Sequence, residues 1–432
     1  MSLQFDPVRL PPHCQALREE VRQFLADEVA AGTYDPDRSE ADGEVDRRFA
    51  RKVAARGWIG MTWPKAYGGQ ERSFLERYVV TEEMRVANAP VRHFFVADRQ
   101  SGPTLIRYAN ERIKREVLPR IVRGDACFCI GMSEPDSGSD LFAARARATP
   151  VDGGYRLDGT KIWTSIAHRA DYMIGLFRTS PPTKENRRHG LTSFLVDMKT
   201  PGITCNRIGQ IGGEREFNEV VFDGVFVPAE NLIGEIDGAW KQATSELAYE
   251  RSGPERFLET FEAMKLLVDA VDERSDVRVQ VGVGRLVAQL HTLRRMSVSV
   301  AGMLEMKKEP VVEAAIVKDL GTLWEQALPH RVRDLAATMD EDDPRCGGSS
   351  AGSCTSCTPR PSSRSRAGPL RCCAGSSRAG SGCADGRRAR LENRGDRLGL
   401  ECSGPGPRPA PSAKARRPSP SPVIFLAALA ER

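Results

Sequence analysis

From Cys14 onward, apolar residues recur at three- and four-residue intervals, as in CQALREEVRQFLADEVA and FLERYVVTEEMRVANA. That is the period of helices with one buried stripe. WPKAYGG, residues 63–69, interrupts the pattern with the Pro and Gly of a turn. Beyond about Phe128 the texture changes to short runs rich in β-branched and aromatic residues: YRLDGTKIWTS, DYMIGLFRT, LTSFLVDM and NEVVFDGVFV. Runs of that kind, separated by Gly and Asp, predict a small antiparallel sheet or barrel. From Ala239 helical periodicity returns in FLETFEAMKLLVDAV and GRLVAQLHTLRRMSVSVAGMLEM, which predicts a bundle. The pattern then stops. The chain is predicted to be mainly α with a central β-domain, divided as 1–127 helices, 128–238 β-domain, 239–340 incomplete bundle and 341–432 low-complexity tail. The tail is too poor in apolar residues to offset its ordering entropy, which predicts disorder there.

Length and charge sharpen this picture. A chain of 432 residues can hold two or three domains with a sizeable core. From Pro344 on, 16 Lys and Arg face 5 Asp and Glu, a surplus of +11 that exceeds the +5 of the whole chain, so the preceding residues carry −6. The body is mildly acidic and gives no bulk reason to expect nucleic-acid binding. Its cysteines are sparse (Cys14, Cys127, Cys129 and Cys205), whereas seven crowd the tail. With no signal-like N-terminus, and with the apolar run Val423–Ala430 far too short to span a bilayer, the expectation is a cytoplasmic protein with no membrane association.

The strongest local chemistry is CIGMSEPDSGSDL, Cys129 to Leu141, at the predicted helix-to-sheet junction. Its Ser and Gly residues offer hydroxyls and closely approachable amides to an extended polar cofactor; an ordinary Ser/Gly turn is the plain alternative. In KIWTSIAHRAD, Lys161 to Asp171, Trp163 is suited to lie flat against an aromatic ring and Ser165 to donate a hydrogen bond to it. Further on comes FNEVVFDGVFVPAENLIGEIDGAW, Phe217 to Trp240. Together with WPKAYGG, and in this order, these segments resemble the acyl-CoA dehydrogenase family over Trp63 to about Arg256, with fainter similarity to about Met339.

The resemblance implies an N-terminal helical domain, a middle antiparallel β-barrel and a C-terminal bundle, with FAD held between the last two. It implies desaturation of an acyl-CoA thioester to the 2,3-enoyl-CoA and delivery of electrons to an electron-transfer flavoprotein. The positions it assigns to the flavin are Ile130, Gly131, Met132, Ser133, Gly138, Ser139, Trp163, Thr164 and Ser165, with Ser139 also touching the acyl-CoA. In LAYERSGPER it places Glu250 at a position of the catalytic base and Arg251 at a substrate-side arginine. As bare sequence, a Glu-Arg pair on a helix is more often a solvated face, and it is the match to the family's base position that reverses this.

One departure is that the family often carries Arg-x-x-Phe-Gly in the bundle, through which a subunit reaches its neighbour's FAD. DVRVQVGVGRLVAQLH occupies that region without Phe-Gly and leaves Arg278 and Gln289 as the candidates. One explanation is a hetero-oligomer in which a different chain completes that part of the FAD site; a homo-oligomer is the other assembly expected, and a non-catalytic subunit supporting a paralogue is the alternative function. GVGRLV fails the spacing of a dinucleotide loop, CTSC has no second ligand pair for zinc, and the six histidines form no i, i+4 pair.

The ending remains. Either it is a functional basic tail, with nucleic acid or a membrane surface as the partner, or the coding frame has shifted near 340–346. The genetic code favours the second: read one frame over, Ala367 to Ala384 permits G-T-T-E-V-L-R-G-I-I-A-R-G-I-G-L-R, which resembles the family's C-terminal signature. The codon before that Gly-Thr-Thr cannot encode glutamate, which leaves Glu250 as the one family base position carrying a carboxylate. The shift predicts exposed apolar faces on the remaining bundle helices, poor stability, weak oligomerisation and low FAD occupancy.

Overall fold

The computed structural model describes residues 4–36, 46–183, 186–240, 242, 251–272 and 275–339. Glu250 and the tail from 340 on lie outside the described residues. Among the described residues eight strands form one sheet, with helices before and after it in the chain.

The N-terminal helices are α1 (Pro12–Ala30), α2 (Arg47–Ala55), α3 (Phe74–Val86), α4 (Arg92–Val96), α5 (Gly102–Tyr108) and α6 (Glu111–Val122). Proline opens α1 at a position whose N–H has no helical partner. A reciprocal Ser73–Glu76 capping box starts α3, and the Asp46 carboxylate caps α2 by accepting from the Phe49 N–H at 2.9 Å. Between α4 and α5 the turn Ala97–Ser101 is π-helical, so Arg92–Tyr108 runs on as one helix with an extra residue in its hydrogen-bond ladder.

The sheet comprises β1 (Phe128–Gly131), β2 (Arg147–Val151), β3 (Gly154–Ser165), β4 (Tyr172–Arg178), β5 (Leu191–Asp197), β6 (Ile203–Arg207), β7 (Phe217–Pro228) and β8 (Leu232–Ile233). The strand order is β6-β7-β3-β2-β4-β5-β8, with β1 also on β4. Most ladders are antiparallel as the runs predicted; β1 and β2 meet the same edge of β4 in parallel, β1 along Tyr172–Gly175 and β2 at Arg178. In β5 the apolar-polar alternation disappears because six consecutive residues are buried. A strand covered on both faces needs no polar side. One face of the central strands joins the helical core through Phe128, Ile174, Leu195 and Ile233, while Met173, Phe177, Phe194 and Phe222 pack on the other.

The C-terminal helices are α7 (Phe261–Ala270), α8 (Val277–Glu305) and α9 (Val311–Ala336). A buried charge network ties α8 to the N-terminal helices. Glu82 of α3 accepts from Arg18 Nη2 at 2.8 Å and from Arg294 Nε of α8 at 2.7 Å, and Arg22 Nε donates to Glu83 at 2.7 Å. The outer side of α9 is apolar as well: Val312, Leu320 and Leu323 are exposed, Leu323 by 56%.

Candidate functional site

The site begins where β3 breaks register with β7. Lys161 pairs with Val220 and Thr164 with Asn218, so β3 advances three residues while β7 advances two. The extra residue is a β-bulge, a device that re-aims side chains. Here it turns Trp163 outward, 57% exposed, with φ +59°, and Ile166 follows at φ +52°. Left-handed backbone costs a side-chain-bearing residue about 1–2 kcal/mol. Such geometry persists only where the surroundings impose it. Asn218 imposes it from β7: its fully buried amide donates to the Thr164 and Glu216 carbonyls at 3.0 Å each, and its Oδ1 lies 3.0 Å from His168 Nδ1. The Phe217 ring stands edge-on to the Trp163 indole at 6.2 Å.

Beside the bulge runs the loop that follows β1. The Ile162 N–H donates to the Ser133 carbonyl at 2.9 Å, and Glu134 and Ser137 exchange backbone hydrogen bonds of 2.7 and 3.0 Å. Within the loop the Ser137 hydroxyl donates to the Asp140 carbonyl at 2.8 Å. Met132, Gly138 and Ser139 are exposed, Ile130 and Ser133 half-buried, and Gly131 buried at the end of β1. No atom lies within 4 Å of where a Cβ on Gly138 would stand, so that backbone can be approached closely.

Ser165 is half-buried, whereas the Thr164 side chain points into the sheet, its hydroxyl without a hydrogen-bond partner among the described residues. Thr164 therefore meets the site through its backbone. The bulge and the loop thus bring together Ile130 to Ser139 and Trp163 to Ser165, while Arg251, half-buried and helical, lies apart, just before the turn Pro254–Arg256 that leads to α7.

Two charged residues absent from the sequence-level set hold this geometry. Lys161 is fully buried, donates to Glu134 Oε1 at 2.7 Å and sits 5.0 Å from the centre of the Phe177 ring. Burial pushes the Lys161 ammonium below its ordinary value, and the Glu134 carboxylate pulls it back up. Glu134 in turn accepts the Arg145 and Ala146 N–H groups at 2.6 and 3.0 Å. The one signal for Lys161 is its inward position in the alternation of β3. Glu134 carries none, lying in a loop.

Arg278 and Gln289 are engaged within the chain, Arg278 Nη2 with Asp276 at 2.7 Å and Gln289 Oε1 with Arg331 Nη1. Among the described residues no helix is long and apolar enough to cross a membrane.

An exposed indole on a rigid bulge, flanked by an open Ser/Gly backbone, matches a flat aromatic group carrying a polar chain; these are features a flavin nucleotide requires. Helices, a mostly antiparallel sheet and helices again, with that site on the sheet, define the acyl-CoA dehydrogenase fold. Comparisons agree: the model of the acyl-CoA dehydrogenase N-terminal domain matches residues 11–125 and that of the middle domain residues 129–225. Acyl-CoA dehydrogenase FadE34 of Mycobacterium tuberculosis is 32% identical over 285 residues, covering 66% of this chain and 40% of that protein. Acyl-CoA dehydrogenase IpdE1 of Mycolicibacterium smegmatis is 35% identical over 256 residues, 55% of this chain and 64% of that one. Among solved structures, the Tcur3481-Tcur3483 steroid ACAD has TM-score 0.70 at 27% identity, covering 83% of this chain and 92% of that one. The chain belongs to the acyl-CoA dehydrogenase family. It spans less than two thirds of the length of these two curated relatives.

Proposed function

We propose that the protein is an FAD-dependent acyl-CoA dehydrogenase that introduces a 2,3-double bond into an acyl-CoA thioester. The observation that carries this is the Trp163 bulge beside the open Gly138–Ser139 backbone. Trp163 would cover one face of the isoalloxazine ring, Ser165 would donate to its N5 edge, and Met132, Ser133 and Ser139 would line its chain, with Ile130, Gly131 and Thr164 shaping that wall. Bound there, the flavin supplies the hydride acceptor for the β carbon. The Glu250 carboxylate takes the proton α to the thioester carbonyl, while Arg251 and Ser139 hold the thioester side of the substrate. Loss of the α proton and the β hydride leaves the enoyl product, with its electrons destined for an electron-transfer flavoprotein.

Partners and location belong to the same proposal. The likeness to a steroid ACAD, and to the ChsE4-ChsE5 complex of Mycobacterium tuberculosis at TM-score 0.66 and 27% identity, supports an oligomer and brings bulky acyl groups into the substrate panel. A second reading, that of a non-catalytic subunit supporting a paralogue, draws on Arg278 and Gln289, whose polar groups are bonded inside their own chain. Free thiols at Cys14, Cys129 and Cys205 suit a cytoplasmic location. The exposed apolar side of α9 supports the frame-shift reading, in which further helices belong against the bundle.

The test is anaerobic bleaching of the flavin band by a panel of straight, branched and sterol-derived acyl-CoAs, on the chain alone, on its frame-restored form and with a paralogous partner. Glu250→Gln should keep flavin and lose bleaching; full bleaching in that variant would remove Glu250 from the mechanism. Flavin bound only with the partner would favour the supporting-subunit reading.

A further inference from the structure

The least expected group near the site is the buried ion pair between Lys161 and Glu134. Lys161 has no exposed surface, and its Nζ lies 2.7 Å from Glu134 Oε1 and 3.4 Å from the Met132 carbonyl. Its two ends belong to the two segments that make the site: Lys161 stands two residues before Trp163 on β3, and Glu134 lies in the loop between Met132 and Ser139. Glu134 also gathers the Arg145 and Ala146 amides, which anchors the far end of that loop where it enters β2.

Burying an ion pair is weak evidence for stability, because desolvation of both charges cancels much of their attraction and an apolar pair of similar volume is often as stable. What such a pair supplies is one fixed arrangement: a lysine without water has few geometries in which its charge is satisfied. The hydrogen bond from Ile162 to the Ser133 carbonyl, on the residue between Lys161 and Trp163, carries that arrangement from the pair to the bulge.

We propose that the Lys161–Glu134 pair is the positioning element that sets the Met132–Ser139 loop and the Trp163 bulge in one geometry before FAD binds. The proposal rests on the flavoprotein reading above. Neither residue touches the flavin; both act through Ser133, Ser137 and Ile162. Preorganisation of this kind lowers the ordering cost of binding and fixes the ring environment.

The test uses the full chain, Lys161→Met, the neutral double variant K161M/E134Q, and the control Val196→Ala, which opens space in the same sheet core on β5, a strand that pairs with neither β1 nor β3. Four quantities are measured: thermal midpoint, amide exchange at Ser137 and Ile162, the FAD dissociation constant by fluorescence quenching, and the fine structure of the bound flavin's visible band. Lys161→Met should speed exchange at both amides, weaken FAD on the order of ten- to a hundredfold and blur the band. Val196→Ala should lower the midpoint and leave affinity and band unchanged.

If Lys161→Met fails to fold, the double variant is scored by the same criteria, since it removes both charges together and Gln keeps one acceptor oxygen for the Arg145 or the Ala146 amide. Wild-type FAD affinity and band shape in the folded variant would overturn the positioning role while leaving the proposed function standing. Equal loss of affinity in Val196→Ala would reduce the pair to a generic structural role and overturn it too. A wild-type chain that takes up no FAD, alone or frame-restored, would sink the proposed function and the positioning role with it.

Discussion

Replacing Glu325 with Gln should make the protein more stable at mildly alkaline pH and change it little in acid. Glu325 lies on α9, 8% exposed, and its Oε1 accepts the Glu259 N–H at 2.6 Å. Burial, then the neighbouring Glu259 carboxylate, push its carboxyl from 4.5 up to about 8, against the Glu259 N–H, Arg85 and Arg256. Below about pH 4.5 the group is protonated whether the chain is folded or not. Between there and about pH 8 the unfolded chain releases a proton that the folded chain keeps, so wild-type stability falls as pH rises. At 1.36 kcal/mol per pH unit, that displacement costs on the order of 5 kcal/mol by the time the folded carboxyl ionises. Glutamine retains an acceptor for the Glu259 N–H and removes the titration. Urea unfolding of both proteins, in steps from about pH 5 to about pH 8, should show the variant gaining on wild type by about 1 kcal/mol per pH unit. Curves that stay parallel across that range would show that Glu325 ionises at its ordinary value in the folded chain and would refute the reasoning.

Two further outcomes are expected. Glu82→Gln leaves Arg18 and Arg294 underpaired in a buried network and should cost about 3–5 kcal/mol. Burial opposes the Glu82 charge, but Arg294 and Arg18 hold its carboxyl down to about 2, so the stability it supplies is full above about 4.5 and fades as pH falls toward 2. Thermal melts in acid should therefore fall less steeply for the variant than for wild type. Trp163→Gly relieves a left-handed side chain and should shift unfolding free energy by no more than about 1 kcal/mol either way. Fluorescence titration should show FAD binding nearly abolished in the same protein, and retained binding would contradict the stacking role.

Periodicity made α1, α3, α8 and the strands β3, β4, β5 and β7 legible, because each buries a stripe or a face that the apolar positions mark. It could not show the charges inside. Glu82 and Glu83 look like the solvated side of α3 until Arg18, Arg22 and Arg294 arrive from helices far apart in the chain. For the site, the motif resemblance located the loop and Trp163, yet the bulge depends on a one-residue mismatch with β7 and on Asn218 within NEVVFDGVFV, and neither leaves a mark in β3 itself. The parallel contact of β1 was hidden for another reason: FCIG has four residues, too few to display a period. Glu250 lies outside the described residues, and its role rests on the sequence resemblance.

The outward turn of Trp163 also gives the protein a built-in optical probe. Trp58, Trp63 and Trp324 are buried and Trp240 is half-buried, so among the five tryptophans the long-wavelength edge of the emission belongs chiefly to the indole at the site. Red-edge excitation combined with a collisional quencher would therefore report on the occupancy of that surface without any label or catalytic turnover.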